Sequence, residues 1–198
     1  MMERGSAPPA LLLQTMTDPR LRRFSHVIAF DDAPFAHSHR GDVPLVGIVF
    51  AGSRLGGVLR GRVRRDGVNA ARTMTAMIAG SRFVEHLQLI MLQGIAVAGF
   101  NVVDVFALHE ATRLPVLVVA RKRPDFAAIR DALYSRVRGG ARKWRIIEKL
   151  GAMEKVGGVY VQRVGPTAAD AALIIGRFAI NGFYPEPLRV AHLVASAL

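Results

Sequence analysis

The sequence contains no cysteine, which excludes a disulfide framework, cysteine-ligated zinc and thiol catalysis. Aromatic residues are scarce, at 7% of a chain that is 51% hydrophobic, so the core must be built from Ala, Val, Leu and Ile, as in a layered α/β protein. Acidic side chains are also in short supply: 15 Asp and Glu face 27 Lys and Arg, for a formal charge of +12. Such an excess favours an anionic partner, nucleic acid first among them, or else marks only a generally basic surface. No apolar run reaches the roughly 18 residues of a membrane span, because Gln93 and Asn101 interrupt the longest one. No membrane partner is therefore expected, and a cytoplasmic location fits the missing cysteines. The sequence also has no P-loop, nucleophile elbow or internal repeat.

What is present, in 198 residues, suffices for one domain with a sizeable core. That domain is expected over residues 23–198, behind a flexible leader at 1–22 that lacks the long apolar region and cleavage site of a secretory signal. The chain is organised around Leu89 to Asp104. Its run Leu89 to Leu92 is too continuous for a strand with one wet face, so a strand buried on both faces is predicted, ending at Gln93-Gly94. Ligands of open α/β sheets gather at such carboxyl ends. Asn101 is predicted to cap a helix from about Val102 to Ala111, with Asp104 in a capping-box position.

A first strand, Phe24 to Phe30, ends at Asp31-Asp32-Ala33-Pro34. Successive side chains alternate faces, so one carboxylate can face a site while the other shapes the turn. A metal-binding acid and an ordinary Asp-Pro turn both fit. His37 and His39 follow in a polar loop, as a solvated pair or as metal ligands. Val43 to Ala51 and Val58 to Arg65 form a hairpin around a turn at Ser53 to Gly57. Arg60, Arg62 and Arg64 share one face of its second strand, either to track phosphates or to protect an edge, and the strand ends at Asp66-Gly67. Asn69 can cap the next helix, with Met74, Met77, Ile78 and Phe83 at helical spacing.

A strand at Pro115 to Arg121 leaves through Arg121-Lys122-Arg123, a phosphate site or a solvated cluster. A helix to about Val137, a basic loop at Gly139 to Lys143 and a short helix at Trp144 to Leu150 come next. Val159 to Val164 reads as a strand, Thr167 to Phe178 as a helix, and Pro185 to Leu198 as a closing helix with Arg189 and His192 on one face. His192 is read either as a general acid or base or as a hydrogen-bonded core histidine.

Hairpin-linked strands followed by alternating helices and strands predict a ribonuclease H-like α/β fold, three antiparallel strands followed by parallel strands with flanking helices. Folds of this kind gather acidic side chains around divalent metals that promote phosphodiester hydrolysis. The segments Ala29-Phe30-Asp31-Asp32-Ala33-Pro34-Phe35, Gly99-Phe100-Asn101-Val102-Val103-Asp104, Leu114-Pro115-Val116 and Pro185-Glu186-Pro187-Leu188-Arg189-Val190-Ala191-His192 together resemble the largely archaeal endonuclease dU family, across nearly the whole chain from Phe24. That family is related to endonuclease V, which cleaves DNA or RNA near deaminated bases with Mg²⁺.

The resemblance implies a catalytic set of Asp31, Asp66, Gln93 and His192. It assigns Mg²⁺ or Mn²⁺ to Asp31 and Asp66, with Asp32 as a further candidate ligand, and Asn101, Asp104, Arg121, Lys122 and Arg189 are the candidate substrate contacts. Gln93 stands where endonuclease V and some members of this family have Asp, and Asn69 where many family members have Asp, so that either Asp32 or Asp104 compensates or the site is weakened. The expectation is a metal-dependent endonuclease cutting DNA at or near uracil or hypoxanthine. The alternative is a nucleic-acid-binding protein of the same fold with weakened or lost cutting.

Overall fold

Leu89, Ile90, Met91 and Leu92 are all buried, as a continuous apolar run requires, and they form the middle of a seven-stranded sheet. The computed structural model describes residues 23–180 and 182–198, so the leader expected at 1–22 lies outside the described residues. In chain order the strands are β1 (His26–Asp32), β2 (Asp42–Ala51), β3 (Arg54–Arg64), β4 (Leu89–Gln93), β5 (Ala96–Val97), β6 (Asn101–Val102), β7 (Val116–Ala120), β8 (Glu154–Val156) and β9 (Val159–Val164). The large sheet has the spatial order β3-β2-β1-β4-β7-β9-β8, while β5 and β6 pair only with each other. The β1–β2–β3 meander is antiparallel, and β1, β4 and β7 are parallel. This is the mixed ribonuclease H-like arrangement expected. Beyond β7 the sheet turns antiparallel again through β9 and β8.

Among the described residues six helices flank it: α1 (Ala70–Ala79), α2 (Val105–Thr112), α3 (Phe126–Arg136), α4 (Gly140–Leu150), α5 (Ala168–Phe178) and α6 (Glu186–Ser196). The two-residue side-chain period of β1 divides the core. Ile28 and Phe30 pack with Met74 and Ile78 of α1 and Leu108 of α2. Val27 and Ala29 pack on the other side with Ile174 of α5 and with Leu188 and Ala191 of α6. Each such Val, Leu, Ile, Met or Phe side chain, once fully buried, contributes about 1.5–3 kcal/mol. Thr167 and Asp170 close a capping box at the start of α5.

Four local expectations are corrected. The β2–β3 turn lies at Gly52 and Ser53, and β3 already begins at Arg54. Gly57 serves close packing instead, since a Cβ there would fall 2.5 Å from the Phe83 ring. Asn101 is not a helix cap: it lies in the small antiparallel hairpin of β5 and β6. Asp104 caps α2 alone, its Oδ1 accepting from Ala107 N at 3.0 Å. Finally, the basic loop at 139–143 is the first turn of α4.

Candidate active site

The parallel strands β1 and β4 end side by side. One step beyond the pair Phe30 and Leu92 come Asp31 and Gln93, both on the α5/α6 side of the sheet because they continue the Val27–Ala29 and Leu89–Met91 rows. Asp31 is 6% exposed. Its Oδ2 lies 2.9 Å from His192 Nδ1, and its Oδ1 accepts from Asp32 N at 3.0 Å. An ionised carboxylate can only accept, so Nδ1 carries the proton in that state and Nε2 is left as a base. Helix α6 packs along β1, β2 and β4, and this holds His192 over the strand end with half of its side chain in solvent.

Asp32 points to the opposite face, toward the backbone of Ala98. Burial pushes its carboxyl up to about 6; the Ala98 backbone opposes this, and the charge of Asp31 adds to it. Burial raises Asp31 as well, against the pull of its His192 hydrogen bond. Two acids are thus held next to each other in a medium that disfavours their charge, in a strongly basic protein. Ala98 itself sits at φ 47, a left-handed conformation that costs a non-glycine residue about 1–2 kcal/mol.

Gln93 is half-buried, and its Oε1 accepts from the Tyr184 hydroxyl at 2.8 Å. The Arg121 guanidinium stacks 4.0 Å from the centre of the Tyr184 ring. Burial drives the Tyr184 phenol well above its ordinary range, Arg121 pulls it back, and the nearby negative charge of Asp31 adds to the rise. The ring therefore stays a neutral donor. The constellation consists of Asp31, Asp32, Gln93, Tyr184, Arg121 and His192.

Most of the other residues expected at the site have partners of their own. Asp66 lies in the turn after β3, at φ 52, where its Oδ1 accepts from Phe100 N at 2.8 Å and its Oδ2 lies 3.2 Å from Arg65 Nε. Among the described residues no hydrogen bond or ion pair joins it to Asp31, Asp32 or Gln93. Lys143, 2% exposed, donates from Nζ to the carbonyls of Asp66 and Phe100 at 2.6 and 2.7 Å. Asn101 is fully buried, with its Oδ1 on Ala70 N and its Nδ2 on Arg64 O and Asn69 Oδ1. A side chain spent in this way cannot touch substrate, so Asn101 ties the β3–α1 turn to the β5–β6 hairpin. Asn69 belongs to the same tie, which is why its side chain does not cap α1. Asp104 is occupied as a helix cap. Arg189 forms a two-pronged pair with Glu186, and Lys122 is exposed beside Arg121. The His37 and His39 carbonyls both accept from Arg65, and His39 Nε2 lies 3.2 Å from Asp42 O, so the pair shapes a loop.

Among the described residues, no three His, Cys, Asp or Glu side chains gather as a metal cluster. Sequence reasoning missed Tyr184, which comes from the link before α6 and whose partner is 91 residues away. It also missed Lys143, whose burial no local pattern announces. No helix among the described residues is long and apolar enough to cross a membrane.

Comparison with known proteins adds four findings. The sequence profile of the family described as endonuclease dU matches residues 23–198. A UPF0215 protein of Deinococcus radiodurans is 55% identical over 176 residues, covering 89% of this chain and 90% of its own. The crystal structure of a protein of unknown function from Archaeoglobus fulgidus superposes with a TM-score of 0.80 at 32% identity, covering 87% of this chain and 96% of that one. At the level of fold alone, Ciona intestinalis endonuclease V, in complex with a 24mer DNA containing an inosine followed by a ribo-adenosine, gives a TM-score of 0.58 at 11% identity, covering 86% and 84%.

Proposed function

We propose, from the premise that the chain belongs to the endonuclease dU family, that it is a metal-dependent endonuclease. Its substrate in this reading is DNA, cut in the phosphodiester backbone at or beside a uracil or hypoxanthine. The observation that carries the proposal is the buried Asp31 beside the half-buried Asp32 at the end of β1, with His192 Nδ1 2.9 Å from Asp31 Oδ2. Nothing in packing calls for two adjacent acids there. Acids raised by burial beside a histidine at a strand end support the reading of a working site.

The donor set fits a hard divalent cation. Asp31 offers a carboxylate and Gln93 a neutral amide oxygen on one face of the sheet, Asp32 a second carboxylate from the other face at the strand end, and there is no thiolate that would favour a softer metal. Mg²⁺ is commonly held by one or two carboxylates together with substrate phosphate oxygens, which suits a site with two acids rather than three. Bound there, such an ion supplies Lewis-acid stabilisation of the charge that develops on phosphoryl oxygens. The chain's own groups do the rest. Asp31 holds Nδ1 of His192 and thereby orients the ring, whose Nε2 exchanges a proton with the attacking water or the departing oxygen. Arg121 and Lys122, at the end of β7, offer positive charge to flanking phosphates.

A second reading is favoured by Gln93. An amide brings no charge to the metal, and its Oε1 is already held by Tyr184, so a nucleic-acid-binding protein with weakened cutting also follows from this geometry. Cleavage of labelled duplexes carrying one uracil, one hypoxanthine or neither, in Mg²⁺, Mn²⁺ or EDTA, separates the two. Breaks confined to the lesion and requiring metal support the endonuclease. Binding without breaks in either metal supports the second reading.

A further inference from the structure

Cross-strand register carries the Asp31 row out to the edge of the sheet. Asp31 is paired with Val46 of β2, and Val46 with Arg60 of β3. Directly paired residues point to the same side of a sheet. By the same parity Arg62 lies opposite Pro44 and Arg64 opposite Asp42. All three guanidiniums therefore leave the sheet on the side that carries Asp31, Gln93 and His192. Adjacent strands are about 4.8 Å apart, which puts the Arg60 backbone about 10 Å from that of Asp31.

The other side of β3 is spoken for. Leu59 and Val63 join the core on the α1 side, and Gly61 is pressed so closely that a Cβ would meet Met77 sulfur at 2.5 Å. The arginine side is open: Arg60, Arg62 and Arg64 are all exposed. The acid beside them, Asp42, lies 3.8 Å from Arg64, while Arg62 donates to its carbonyl at 3.0 Å. Among the described residues no hydrogen bond or ion pair involves the Arg60 side chain. Guarding an edge strand takes a single charge of either sign. Three charges of one sign on the Asp31 side of the sheet exceed that need.

We infer that Arg60, Arg62 and Arg64 form a track for the phosphate backbone of a nucleic-acid strand, leading from the sheet edge toward Asp31. The inference rests on the proposed function for the nature of the partner, and not for its cleavage. Alternate residues of a strand recur every 6.8 Å or so. The three side chains thus span about 14 Å, the axial length of about four nucleotides at 3.4 Å per phosphate of one strand.

The test is binding of the full chain to a labelled uracil-containing duplex in EDTA, by fluorescence anisotropy across a salt series. The variant with R60Q, R62Q and R64Q together is expected to bind at least about tenfold more weakly at low salt. The slope of log affinity against log salt should fall by roughly 2–3, about 0.9 for each phosphate no longer neutralised. The matching Lys triple should keep most of the slope, and the melting temperatures of both should match wild type. A control triple, R72Q with R82Q and R113Q on the α1/α2 side, removes the same charge. Equal weakening by the control, or wild-type affinity and slope in the Gln triple, overturns the track. Since no metal is present, failure of the wild type to cut in a parallel Mg²⁺ reaction bears on the endonuclease reading alone.

Discussion

The Tyr184 hydroxyl donates to Gln93 Oε1 at 2.8 Å, and that bond governs what the neutral amide next to Asp31 can contribute. The phenol is kept protonated by burial, so it is a permanent donor, and one lone pair of the amide oxygen is always spent. Gln93 is thus a positioned polar group without charge, at the strand end where the proposed function puts the metal.

Gln93→Asp should convert the two-acid site into a three-acid one. Ligand charge is the main determinant of hard-cation affinity, and about tenfold tighter Mg²⁺ binding is expected, with faster lesion cleavage at limiting metal. In EDTA the same variant should melt lower than wild type, because a third carboxylate joins two that already resist ionisation. Calorimetric Mg²⁺ titration checks the first effect; an unchanged Mg²⁺ response would remove Gln93 from the site.

His192→Gln keeps a polar side chain near Asp31 but cannot exchange a proton. Under the proposed mechanism the single-turnover rate falls by roughly 10²–10⁴, and the pH–rate profile loses one limb. Duplex affinity in EDTA should hold. A variant that cuts normally with an unaltered profile would make His192 a purely structural partner of Asp31.

Much of this site is legible in the chain, and what is not has a common cause. The buried run Leu89 to Leu92, the Asp31-Asp32 strand end and the alternating arginines of β3 are local patterns, and periodicity finds them. Asn101 and Asp104 mislead because the β5–β6 hairpin hides between Gly94 and Asp104, where the sequence has the look of a helix start. Asp66 resembles a ligand because it ends a strand, but its destination is set by Phe100, Arg65 and Lys143. Such partners, like Tyr184 for Gln93, are brought together by topology, which single-chain patterns do not encode.

Asp66 and Lys143 should prove to be stability residues. Lys143→Met removes the donor from two carbonyls, a cost of about 2–4 kcal/mol in all, or roughly 5–15 °C in melting temperature. Asp66→Asn keeps an acceptor for Phe100 and tolerates the left-handed backbone, so it should fold and retain its Mg²⁺ response. Loss of that response in a folded Asp66→Asn protein would restore Asp66 as a ligand.

The metal-free protein should gain stability as pH falls through about 6, the value to which Asp32 is raised. The sign follows from linkage: when the folded pKa lies above the unfolded one, the folded state binds protons more tightly between the two values, so acidification there favours folding. Above that value the charged Asp32 carboxylate bears its full desolvation penalty. Melting in EDTA across pH 5–8 should therefore show Asp32→Asn above wild type at pH 7–8, with the gap closing toward pH 5. At lower pH the opposite trend enters through Glu186, whose carboxyl is held below its ordinary range by Arg189. A gap that does not change with pH would mean that Asp32 is ionised at no cost.

The most direct test of the proposed activity is single-turnover cleavage of a uracil-containing duplex in Mg²⁺ by wild type and Asp31→Asn, with affinity measured alongside in EDTA. Wild type should cut at the lesion, the variant should lose at least about 100-fold, and the two affinities should agree within about threefold, the pattern of a group used in the chemistry rather than in binding. Undiminished cutting by Asp31→Asn, or duplex binding by wild type with no cutting in Mg²⁺ or Mn²⁺, would contradict it.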